Sequence, residues 1–143
     1  MMGTKTHDPN SIIIAIGPWL VTGYAKGTFV KVSRETDTFT DYAGADGEVT
    51  RARQRDRRGT IELVLTQSSP TNDYLSALAL QDEQSGTAIV PVLVKDANGT
   101  TIHSAGEAWV KKPAESEYGE EVSTRTWTIR LAKLTMFNGG SVL

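Results

Sequence analysis

Thr60-Ile-Glu-Leu-Val-Leu-Thr-Gln67 is the stretch from which the fold can be read. Ile61, Leu63 and Leu65 fall on one side of an extended chain, with Thr60, Glu62, Val64 and Thr66 on the other. Successive side chains of a strand point to opposite faces, so this alternation predicts a half-buried β-strand. The next residues change period. Ser68-Ser69-Pro70-Thr71-Asn72-Asp73 supplies a helix start, with serine as N-cap, proline in the first turn and Asp73 at the positive end of the dipole. Tyr74, Leu75, Leu78 and Ala79 then recur at helical spacing, which predicts one short helix at about 71–84, ending near Gly86.

Outward from this strand and helix the chain reads as more strands. Thr28, Val30 and Val32 alternate with Phe29, Lys31 and Ser33, and Arg125, Trp127, Ile129 and Leu131 alternate with Thr124, Thr126, Thr128 and Arg130. Ile12–Ile16 and Trp19–Thr22, split by Gly17-Pro18, predict a hairpin. Ala88–Lys95 is a nearly continuous apolar strand in which Pro91 asks for an edge position or a bulge. Thr100–Ser104 and Glu107–Lys111 read as two further strands, and Leu134–Phe137 as an extension of the 123–131 strand. Trp19, Trp109 and Trp127 are expected as core anchors. The sum is a mainly β fold: an antiparallel β-sandwich or small barrel of about eight strands with one flanking α-helix.

The segment 38–59, upstream of the central strand, behaves differently. Asp46-Gly47 is a hairpin signal, favoured where both central turn residues take positive φ. After it, arginine recurs at every second position: Arg51, Arg53, Arg55 and Arg57. In an extended chain these line one face, opposite Thr50, Ala52, Gln54, Asp56 and Arg58. Neither face suits a hydrophobic core, and a two-stranded ribbon alone in water is marginally stable at best. The expectation is that something outside the domain holds this long hairpin.

Composition sets the frame. The 143 residues fit a single domain over 1–143, with an N-terminal arm at 1–10 and a C-terminal tail at 139–143. The net charge of −2 argues against a dedicated nucleic-acid binder. The chain has no cysteine, which excludes disulfides and thiolate chemistry. Its apolar run 12–16 is too short to cross a membrane, so no membrane insertion and assembly in the cytoplasm are expected. No chemical site emerges. His7 and His103 lack metal-ligand neighbours at useful spacing. Gly44–Gly47 precedes no helix that would hold a phosphate. Asp37, Asp41, Asp46 and Glu48 do not match a calcium loop, and Asn98-Gly99-Thr100 reads as a turn. No metal, no cofactor and no enzymatic activity are expected.

Three readings of the arginine column remain. It is a solvated basic hairpin; or it tracks a phosphate backbone, although no aromatics interleave with it for base stacking; or it is a subunit contact. In the third, Asp46, Glu48, Arg51, Arg53, Arg55, Arg57 and Arg58 meet a second copy, with the acidic loop residues Glu115, Glu117, Glu120 and Glu121 as counterpart. Arginine suits this role because its planar fork takes carboxylates bidentately.

Several stretches together resemble the tail tube proteins of contractile-tailed bacteriophages and prophages. They are Gly44-Ala-Asp-Gly-Glu-Val-Thr-Arg51, Arg57-Arg-Gly-Thr-Ile61, Thr66-Gln-Ser-Ser-Pro-Thr-Asn-Asp73, Pro91-Val-Leu-Val-Lys-Asp96, Trp127-Thr-Ile129 and Leu134-Thr-Met-Phe137. They occur in the same order over nearly the whole chain. The resemblance implies a β-sandwich or barrel with one flanking helix, hexameric rings stacked into a hollow tube, and a hairpin reaching the next ring. It also implies sheath, baseplate and tail-terminator partners, DNA passing through the lumen without sequence-specific binding, and a place in the virion. Two alternatives stand beside it within the class: a tube initiator or terminator, and the tube of a phage-like bacteriocin or secretion apparatus. Outside the class stands a monomeric β-sandwich module binding nucleic acid or carbohydrate.

Overall fold

A computed structural model describes residues 4–140. In chain order the elements are β1 (Ile12–Ile16), β2 (Trp19–Leu20), β3 (Val30–Arg34), β4 (Phe39–Ala43), β5 (Val49–Arg53), β6 (Gly59–Thr66), α1 (Thr71–Ser85), β7 (Val90–Asp96), β8 (Ile102–Lys112), β9 (Thr124–Leu131) and β10 (Thr135–Phe137). Eight strands form one antiparallel sheet in the order β2-β1-β7-β8-β9-β6-β3, with β10 added to β8. The sheet does not close on itself. β4 and β5 pair only with each other.

The alternation in the Thr60–Gln67 stretch places the core. Ile61 lies opposite Val32 and Ile129, and Leu63 opposite Val30 and Trp127, so one face collects the apolar side chains of three adjoining strands. Ile14 and Ile16 face Val94 and Val92 in the same sense on the other side of the sheet. With Leu75 of α1 these residues form one contiguous buried cluster. Each large aliphatic side chain in it contributes about 1.5–3 kcal/mol relative to exposure.

Polar side chains at its first turn fasten α1 to the sheet. Thr71 Oγ1 accepts from Trp19 Nε1 at 2.9 Å, and Asn72 Oδ1 accepts from Trp127 Nε1 at 2.9 Å. The Asn72 amide donates to the carbonyl of Thr66, tying the helix to the end of β6. Trp19 stacks on Tyr74, whose hydroxyl donates to the Ile16 carbonyl. Pro70 occupies the N-cap itself, and Ser69 Oγ accepts instead from the Thr71 amide. The helix ends as expected at Gly86, whose φ of 67° is the left-handed cap that glycine adopts without a Cβ penalty.

Several local expectations are corrected. Residues 102–112 form one strand, not two. Leu134–Phe137, by contrast, does carry on the line of β9: after a bend at Ala132–Lys133, β10 pairs with β8 antiparallel in the register β9 began, Leu131 opposite Ala108 and Thr135 opposite Ser104. Trp109 is no core anchor: it lies across from Arg130 on the face opposite the buried cluster and is half-buried. Pro91 meets its expectation: it sits at a bulge, inside the sheet, where the register shifts between Val90 and Val92. Its carbonyl still accepts from Gly17 N at 2.7 Å, so only the missing donor needed accommodation.

Within the described residues the arm and tail are both tied to the turn between β7 and β8. Ser11 Oγ donates to Asp96, Thr100 N donates to the Gly140 carbonyl, and Gly139 N donates to Thr101 Oγ1. The remainder of both segments, 1–3 and 141–143, lies outside the described residues.

Candidate assembly interface

The β4–β5 ribbon leaves the sheet at the end of β3 and rejoins it at the start of β6. Its root is well fastened. Glu35 N donates to the Arg58 carbonyl, Thr36 Oγ1 to the Asp56 carbonyl, and Gln54 N to the Thr38 carbonyl. The Glu35 carboxylate accepts from the Thr60 hydroxyl and lies 2.9 Å from Arg130 Nη1. The hydrogen bond from Thr60, followed by the charge of Arg130, holds the Glu35 carboxyl below its ordinary range. At Gly59 a Cβ would run into the Leu134 side chain, so only glycine lets the ribbon re-enter the sheet here.

The turn differs from the one expected of Asp46-Gly47. Only Gly47 has positive φ, at 86°. Gly47 N donates to the Gly44 carbonyl and Gly44 N to the Glu48 carbonyl, which leaves a three-residue loop, Ala45-Asp46-Gly47. This is a tight turn followed by a glycine bulge. A loop of this type asks for positive φ only at its glycine, and the Asp46 carboxylate is free to accept from Glu48 N at 3.1 Å.

The arginine column is shorter than its spacing suggested. β5 ends at Arg53, so strand alternation aligns Arg51 and Arg53 only. Arg55 and Arg57 follow in irregular chain, exposed. Arg58 is engaged within its own chain: its guanidinium reaches both oxygens of Asp56, and Asp56 also accepts from Arg58 N. The hydrogen bonds from Arg58 depress the Asp56 pKa, and the same pairing raises that of Arg58. Arg51 and Arg53 stand over the ring of Phe39, which lies across from Arg53 in the ribbon. The opposite ribbon face carries Tyr42, 73% exposed. The sequence reading took the strand after the turn alone and so missed Phe39 and Tyr42. Pairing Phe39-Thr-Asp-Tyr-Ala43 against Val49–Arg53 would have found both.

The acidic loop 113–121 lies between β8 and β9. Glu115, Glu117, Glu120 and Glu121 are exposed. Lys112 Nζ lies 3.9 Å from Glu115, both well exposed, a pairing worth little in water. The loop is held through backbone: the Glu117 carbonyl accepts from Ser123 Oγ and from Arg125 Nη2, while Arg125 also lies over the Tyr118 ring. Among the described residues no ion pair joins this loop to the arginines of the same chain. No group of three or more His, Asp or Glu side chains among them is arranged to hold a metal.

The chain as a whole, of which this ribbon is one part, matches known proteins. The profile of the bacteriophage PhiTE tail tube protein family matches residues 10–139. Structural protein ORF10 of Pseudomonas phage KPP10 is 30% identical over 146 residues, covering 96% of this chain and 84% of its own. Among solved structures, the tube-terminating cap of the anti-feeding prophage superposes with a TM-score of 0.65 at 8% identity, over 96% of this chain and 94% of its own. The sheath/tube terminator of an extracellular contractile injection system, PVC, gives a TM-score of 0.63 at 10% identity, over 94% and 99%. At such identities the structural likeness speaks for the fold.

Proposed function

The chain belongs to the bacteriophage PhiTE tail tube protein family, and from that premise we propose that it assembles as hexameric rings stacked into a hollow tube. It is a structural protein of a phage tail. In the proposed assembly the tube is the conduit for DNA, which passes without sequence-specific contact, and a contracting sheath drives it through the host envelope. Sheath, baseplate and terminator proteins are its partners. The observation that carries this reading is the β4–β5 ribbon. Among the described residues it pairs with no other strand, and it exposes Arg51, Arg53, Tyr42 and Val49. A ribbon of this kind gains stability when it lies across a neighbour. The open edges β2 and β3 add to the support, because ring closure removes edges that otherwise invite uncontrolled pairing.

In this assembly Asp46, Glu48 and the arginines Arg51, Arg53, Arg55 and Arg57 form the contact between rings, with the exposed Glu115, Glu117, Glu120 and Glu121 as counterpart for the arginines. Each exposed pair is worth about 0–1 kcal/mol, so charge sets register while apolar contacts hold the stack. Sedimentation velocity over a hundredfold concentration series tests the reading. Species of six chains and larger are expected to grow with concentration, and a single monomeric boundary throughout would refute it.

A further inference from the structure

A cavity of about 450 Å3 opens on the unclosed side of the sheet, between β3 and the strands β7 and β8. Its wall is apolar, built by Ile12, Phe29, Val30, Val32 and Val94. One buried polar side chain interrupts that wall. His103 is 6% exposed, and its Nδ1 has no hydrogen-bond partner among the described residues. A buried polar group without a partner is costly, at about 1–3 kcal/mol, and is uncommon in folded proteins. A largely apolar cavity whose one buried polar group is unpartnered, with Thr28, Lys95, Asp96 and Thr101 also in its lining, suits an occupant with a broad apolar body and one hydrogen-bonding tip.

We infer that the occupant is the Tyr42 side chain of a second copy of this chain, brought in by the tip of its β4–β5 ribbon. Tyr42 has the required form: an aromatic body ending in a hydroxyl, 73% exposed on a ribbon that leaves its own domain. Charge favours the same approach. At its tip the ribbon carries Asp41, Asp46 and Glu48, with Arg51 across from Asp41. Lys95 lines the cavity and Lys26 precedes its Gly27–Val30 wall, while Asp96 is the one carboxylate among the lining residues. Attraction between the carboxylates of the tip and Lys95 favours this approach. A ribbon of one copy in the cavity of the next is a head-to-tail contact, the kind that generates open stacks. The inference rests on the stacked-ring reading above, since it needs copies in succession.

The natural absence of cysteine allows a clean test. Chains carrying Tyr42→Cys are mixed with chains carrying Val30→Cys, assembled under mild oxidation and run on a non-reducing gel. A Tyr118→Cys and Val30→Cys mixture is the control, because Tyr118 is equally exposed but lies on the acidic loop. A dimer band that is strong for the first mixture and weak for the control supports the inference. Assembly of the mixtures with equal or no cross-linking overturns it and leaves the ring reading intact. Failure of the unsubstituted chain to assemble overturns both. Tyr42→Phe, which keeps the ring and removes the hydroxyl, is the second variant. It is expected to raise the concentration needed for assembly about fivefold, the worth of one net hydrogen bond. An unchanged threshold for both Tyr42→Phe and Tyr42→Ala would contradict the inference.

Discussion

The guanidinium carbon of Arg51 lies 4.1 Å from the centroid of the Phe39 ring, and that of Arg53 lies 6.0 Å from it. A cation over an aromatic face at an exposed site is worth about 0.5–1 kcal/mol. That is small beside the stability of the domain but large for a two-stranded ribbon, whose order depends on a few side-chain pairs. The ring therefore props both arginines outward on one face before any neighbour arrives.

Phe39→Ala removes that prop. The expected result is several-fold faster tryptic cleavage after Arg51 and Arg53, because the ribbon opens locally more often. The global urea midpoint should stay within about 0.5 kcal/mol of the parent, since the ring is outside the buried cluster. A large drop in global stability would show that the ribbon is part of the domain core.

Asn72 is the converse case, a polar residue on which the core does depend. Its Oδ1 accepts from Trp127 Nε1 and its amide donates to the Thr66 carbonyl. Asn72→Ala leaves a largely buried indole N–H unpartnered and frees the helix from β6. A loss of about 1–3 kcal/mol is expected, read as a lower urea midpoint at unchanged slope.

These two residues mark what was legible in the sequence. Ile61, Leu63 and Leu65 announce their strand by alternation, and Gly86 announces the helix end by its chemistry, because both signals are local. Trp109 misled because alternation says that two faces differ without saying which is the core; its register against Arg130 decides that. Arg55 and Arg57 misled because spacing alone does not report where strand pairing stops. Phe39 went unread, and His103 was weighed only as a metal ligand, because their importance lies in what sits across from them, over the ribbon and across the unclosed sheet.

Stability should fall between pH 7 and about 5.5, and His103 is a cause. Burial lowers its pKa in the folded chain below the unfolded value of about 6.5. The unfolded chain therefore binds the proton first, and the native state loses stability as pH drops below about 6.5. Lys95, Asp96 and His7 line the same cavity as His103. Glu35, also depressed, loses its contribution only at more acid pH, as pH falls through its folded pKa. His103→Gln should flatten the pH 7 to 5.5 part of the profile in chemical melts and leave the acid limb. An unchanged slope would assign the effect elsewhere.

Charge reversal at Arg51 and Arg53 separates folding from assembly. The double Arg→Glu variant should keep the parent circular dichroism spectrum and melting midpoint within about 1 kcal/mol, since both side chains are exposed. Assembly should be lost. Raised salt should likewise slow assembly of the parent, because exposed pairs are screened beyond about 8 Å at physiological ionic strength. Salt-independent assembly would remove carboxylates as the counterpart of the arginines.

Imaging of the purified, concentrated chain by negative-stain electron microscopy tests the central claim most directly. The account predicts rings with six-fold symmetry in end view and stacked striations in side view, both lost in the Arg51 and Arg53 reversal variant. Featureless single particles at every concentration, from a chain that is folded by circular dichroism, would contradict it.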